Sequence, residues 1–116
     1  MNIEELIKEK VKEIVKKLVN GEYKLLEQSG KLDDITSDEL EDAIIQYGEA
    51  LSLPPEEAYN KIDIFKLTNP KKYREEYFID MDLWTDGHKS DLTLSCEATV
   101  NDNNEVNVTV DSVHVL

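Results

Sequence analysis

The chain predicts an α+β domain in which N-terminal helices pack on one face of a curved antiparallel sheet of three to four strands. Three observations carry that expectation. Up to residue 60 the apolar residues mostly recur at helical three- and four-residue steps, and from residue 61 to 116 they alternate as on strands. The change of regime happens once, so helices and strands are segregated rather than interleaved. At 116 residues there is room for one domain around one core, since domains commonly run to roughly 100–150 residues. Hydrophobic residues form 40% of the chain against 34% charged, enough apolar material to exclude disorder throughout.

Ile3, Leu6, Ile7, Val11, Ile14, Val15, Leu18 and Val19 form one helical stripe, and Asn20-Gly21 closes it. The opposite face mixes Lys8, Lys12 and Lys16 with Glu5, Glu9 and Glu13 and lacks an aromatic anchor, which argues for packing on the domain's own core rather than on a membrane. Glu22 to Leu26 can continue as a short helix that Gln28-Ser29-Gly30 breaks. Thr36 and Glu39 make a capping-box pattern, Leu40, Ala43, Ile44 and Tyr47 make a second stripe, and Gly48 ends it. Pro54-Pro55-Glu56-Glu57 can start a third helix, while Ala50 to Leu53 can alternatively form a brief strand.

Ile62, Ile64, Phe65 and Leu67 predict a strand that Asn69-Pro70 stops. Over residues 75–85, Tyr77, Ile79, Met81 and Leu83 share one face, and Phe78, Asp80, Asp82 and Trp84 the other. Asp86-Gly87 is a hairpin signal, after which Leu92, Leu94, Cys96, Ala98 and Val100 alternate with Thr93, Ser95, Glu97 and Thr99. Asn101 to Asn104 turn the chain again. Val106, Val108 and Val110 then shift phase to Val113 and Val115, which predicts a bulge near Asp111-Ser112. If one sheet face is covered by helices, the other is polar and carries Asp80, Asp82, Trp84, Thr93, Ser95, Glu97 and Thr99.

Charge narrows the function. Twenty-six acids against thirteen bases leave a formal −13, unevenly spread: residues 21–60 hold eleven acids against Lys24 and Lys31. Such a field repels phosphate backbones and anionic membranes and speeds encounter with a basic partner, so neither nucleic acid nor membrane is expected as a partner. Capping explains part of the acidic run, because Asp38 and Glu39 complement a helix dipole; Asp33, Asp34, Asp38, Glu41 and Asp42 together offer a docking surface for lysines and arginines. Trp84 has two readings, burial under a loop or helix and an interface anchor among acids. No secretory signal or membrane-span pattern is read, and the lone Cys96 fits a reducing compartment, so a cytoplasmic protein is expected.

Motifs for chemistry are weak. Asp80 and Asp82 with Asp86, His88 and Asp91 do not match calcium-loop spacing, and Cys96, His88 and His114 make a poor zinc set, so no metal or cofactor is expected. Cys96 lies on the apolar register of its strand, where burial would make it inert, and no glycine-rich phosphate loop exists.

Asp82-Leu83-Trp84-Thr85, Ser90-Asp91-Leu92-Thr93-Leu94 and Val113-His114-Val115-Leu116, with Leu53-Pro54-Pro55-Glu56-Glu57-Ala58, resemble a group of small uncharacterised bacterial α+β domains. The compact acidic character is similar to toxin-neutralising immunity proteins, including those of contact-dependent growth inhibition. That resemblance implies a binding role without turnover and brings no catalytic residues. The expectation is an immunity-type protein, a monomer or weak homodimer, that occludes a cognate basic toxin domain through residues 33–42 or through Asp80, Asp82, Trp84 and Glu97. The alternative is a small enzyme or ligand-binding domain with a pocket between helices and sheet, as in cone-shaped α+β folds, using Asp82, Asp91 or His88.

Overall fold

Helix α1 (Ile3–Val19) opens the computed structural model, which describes residues 2–115. The Asn2 side chain accepts the Glu5 N–H at 2.9 Å, satisfying one of the free donors at the helix start. At the other end Glu22 N–H reaches Lys17 C=O at 2.9 Å and Gly21 N–H reaches Leu18 C=O at 3.1 Å, a Schellman closure that needs the left-handed φ of +72° Gly21 adopts. Helix α2 (Tyr23–Gln28) follows, then α3 (Ser37–Tyr47). The expected capping box is formed: Thr36 Oγ1 accepts the Glu39 N–H at 3.2 Å, and the Glu39 carboxylate accepts the Thr36 N–H at 3.1 Å.

Strands β1 (Leu51–Ser52), β2 (Asp63–Lys66), β3 (Glu75–Thr85), β4 (His88–Val100) and β5 (Val106–Val115) form one open antiparallel sheet. The α+β class holds, with five strands where three to four were expected. The extra strand arises because both open readings of residues 50–61 are realised: β1 pairs with Trp84 and Thr85, and Glu56–Lys61 forms a 3-10 helix before β2 pairs with Tyr77 to Asp80. Strands β3, β4 and β5 make the expected meander. The Asp86-Gly87 turn takes positive φ at both residues, 48° and 83°, as a tight hairpin with the right-handed strand twist requires.

Two irregularities shape the sheet. Between Ser95–Ser112 and Cys96–Val110 the β4–β5 register skips Asp111, the bulge that the valine phase shift predicts. Between Asp82–Thr93 and Trp84–Lys89, three β4 residues stand opposite Leu83 alone. Ser90 holds this second bulge, donating its hydroxyl to Leu83 C=O at 2.7 Å and accepting the Leu92 N–H at 3.1 Å. The far side of β5 is met by the α2–α3 connection, where Leu32 makes a parallel bridge to Val110: Val110 N–H binds Lys31 C=O at 2.7 Å and Asp33 N–H binds Val110 C=O at 2.9 Å.

All the helices lie on one side. Ile7, Val11, Val15 and Leu18 of α1, Leu26 of α2 and Leu40 of α3 pack in a single core with Ile79, Leu83, Leu94, Ala98, Val108 and Val110. Each fully buried aliphatic side chain of this kind contributes about 1.5–3 kcal/mol relative to exposure, so the α1 stripe is the main fastener of the helical layer. Among the described residues no helix is long and apolar enough to cross a membrane.

Candidate functional site: the open sheet face

The side of the sheet away from the helices is built by the alternation of β3 and β4. Because Tyr77, Ile79, Met81 and Leu83 turn inward, Glu76, Phe78, Asp80, Asp82 and Trp84 turn outward, and their β4 neighbours Ser95, Glu97 and Thr99 do the same; Thr93 shares their register but is buried rather than, as expected, open to solvent. Asp80 accepts the Ser95 hydroxyl at 2.7 Å, and Asp82 stands 3.7 Å from Lys89 Nζ. Trp84 is half-buried at the rim and takes no part in the core cluster. With Pro55, Ala58, Met81 and Asp82 it lines a recess of about 190 Å³ at the stretch of β3 that neither β1 nor β2 pairs.

The acids expected from the helical half separate. Asp33 swings onto the sheet at the β5 edge, where its carboxylate, that of Glu97 and that of Asp111 lie within 4.8 Å of one another. Burial first, then a hydrogen bond shared with Asp33 and the charges of Asp33, Asp111 and Glu76, push the Glu97 carboxyl above its ordinary value. Asp34 is exposed in the α2–α3 connection, and Asp38, Glu41 and Asp42 are exposed on α3, on the helical side. Asp38 and Glu41 border a groove with Tyr23, whose hydroxyl is held above its ordinary value by burial and by the Glu41 charge.

Sequence reasoning left four contributors out of its site. Phe65 pairs directly with Phe78, and Asp63 with Asp80, so β2 adds an aromatic ring and a carboxylate to the same face. Phe65 is 56% exposed and Phe78 45%, and neither joins the core. Phe78 was legible from its alternation with Ile79; Phe65 depends on the β2–β3 register. Asp111 is delivered by its bulge.

The residues of the alternative site diverge. Asp82 faces Lys89 on the open side, Asp91 accepts the Tyr47 hydroxyl of α3 at 2.6 Å, and His88 is exposed at the hairpin tip. Cys96 is buried, which drives its thiol far above the ordinary range, and His114 Nδ1 lies 3.0 Å from Ser112 Oγ on the opposite face. The hydroxyl of Thr93, which is opposite Asp82 on β3 and His114 on β5, is buried with no hydrogen-bond partner among the described residues.

No curated protein and no solved structure matches the chain. One protein family does, over residues 15–116, from the last turns of α1 through the whole sheet. The chain therefore belongs to the family described as Domain of unknown function (DUF7668).

Proposed function

We propose that this protein is an acidic binding domain without turnover that docks a basic protein on its open sheet face, in the manner by which an immunity protein occludes a cognate toxin domain. The observation that supports the reading best is the composition of that face. Exposed Phe65 and Phe78 and half-buried Trp84 stand among Asp63, Asp80, Asp82 and Glu97, on a chain carrying −13. Aromatic side chains that a partner desolvates hold a complex together, while surrounding charges choose the partner's sign and speed its arrival. Asp34, Asp38, Glu41 and Asp42, on the helical side, act through the long-range field and so on association rate. An extended, open face suits occlusion of another protein, whereas catalysis favours convergent groups in an enclosing pocket.

The test is capture by the tagged protein from its host at low salt, followed by co-expression with the captured polypeptide. The expected result is a basic protein whose growth inhibition is relieved by the wild type and not by the D63K/D80K/E97K variant. A partner without basic surplus, or full relief by that variant, would overturn the reading.

A further inference from the structure

Within the open face, the cross-strand pair Phe65 and Phe78 has a surrounding that the docking reading alone does not require. Asp63 and Asp80 form the neighbouring cross-strand pair on one side, Glu76 lies two residues from Phe78 on the other, and Glu97 stands directly across from Phe78 on β4. Residues two apart on a strand are separated by about 7 Å and directly paired ones by about 5 Å, so each ring has carboxylates within reach of a side chain lying flat on it. Among the described residues, none of these four carboxylates has a lysine or arginine nitrogen within 4.0 Å; the ion pairs formed use Glu56, Glu75 and Asp82. Two exposed rings are thus flanked by carboxylates that no lysine or arginine of the described residues pairs with.

We infer that this patch is an arginine-reading site: it takes guanidinium side chains of a basic protein segment in preference to lysine ammonium groups. A guanidinium is planar and weakly hydrated across its faces, so it can stack on Phe78 or Phe65 while its edge donates paired N–H bonds to Asp80, Asp63, Glu76 or Glu97. An ammonium is a compact, strongly hydrated charge that gains less from a ring at an exposed site. Charge complementarity selects a cationic occupant, and the combination of flat rings with flanking carboxylates selects the fork-shaped cation. The inference rests on the docking reading and specifies which partner chemistry that site accepts.

Two peptides of equal length and charge, one alternating glycine with arginine and the other glycine with lysine, test it by calorimetric titration at moderate salt. Wild-type protein is expected to bind the arginine peptide roughly tenfold more tightly, the sum of two exposed cation–π contacts. Phe65→Ser with Phe78→Ser is expected to abolish that preference and leave weaker, salt-sensitive binding of both peptides. Should the double variant fail to fold, Phe65→Ser alone, on the edge strand, is expected to shrink the preference. Equal affinity of wild type for both peptides, or a preference that survives loss of the rings, overturns the arginine inference and leaves basic-partner docking standing. Binding of neither peptide even at low salt overturns both.

Discussion

Ser90 and Thr93 lie three residues apart on β4, both buried, at 9% and 2% exposure, and truncating their hydroxyls should move stability in opposite directions. The Ser90 hydroxyl donates to Leu83 C=O and accepts the Leu92 N–H, holding the bulge opposite Leu83. Ser90→Ala leaves a main-chain donor and acceptor short of a partner in a buried place, a loss of about 1–3 kcal/mol. The Thr93 hydroxyl has no hydrogen-bond partner among the described residues. Thr93→Val keeps the β-branched shape and the strand preference while removing a buried group that gains nothing from folding, so a gain of about 1 kcal/mol is expected. For a chain of this length 1 kcal/mol corresponds to a shift in Tm of roughly 4 °C. Urea unfolding and thermal melts followed by circular dichroism should give Thr93→Val above wild type and Ser90→Ala below it, with unchanged m-values. A Thr93→Val protein that is less stable by 1 kcal/mol or more would show that the hydroxyl is satisfied, and a neutral Ser90→Ala would refute the role given to the bulge.

Three further outcomes follow from the same structure. Because the folded Glu97 carboxyl titrates above its ordinary value of 4.5, the native state holds its proton more tightly than the unfolded chain does, and stability falls as pH rises through and above that value. Glu97→Gln should therefore raise Tm relative to wild type by an amount that grows from acidic to neutral pH; a pH-independent difference would refute the carboxylate cluster as its cause. Cys96 should resist alkylation in native buffer and react fully in denaturant, because burial disfavours its thiolate; rapid native labelling would contradict its inward register. Thr36→Ala should cost about 1 kcal/mol by removing half of the capping box, measured by chemical unfolding, whereas Thr36→Ser should be close to neutral.

How far the sequence reached depended on the range of the interactions involved. The bounds of β3 follow from an unbroken alternation between Glu75 and Thr85, and the bulge at Asp111 follows from a single phase shift among valines, both written in neighbouring residues. The two-residue β1 has no period to read and exists because Trp84 and Thr85 pair with it. The Ser90 bulge was missed because Leu92 resumes the alternation in phase, hiding the extra residues. Among the site residues, Asp80, Asp82, Trp84 and Glu97 share the face their register predicts. Asp33 was read, just upstream of α3, as one docking surface with the acids of that helix and stands instead beside Glu97, because the parallel bridge from Leu32 to Val110 carries it there across most of the chain. Phe65 entered the face by a register that no local pattern specifies.

The clasp between residues 31–33 and Val110 also sets a timetable for synthesis. Helix α1 packs against β5, and β5 is the last of the described strands to leave the ribosome, so the apolar stripe of Ile7, Val11, Val15 and Leu18 waits for a wall that does not yet exist. At bacterial or eukaryotic elongation rates that wait is on the order of ten seconds. The nascent chain must travel through that interval with the apolar stripe of its longest helix uncovered.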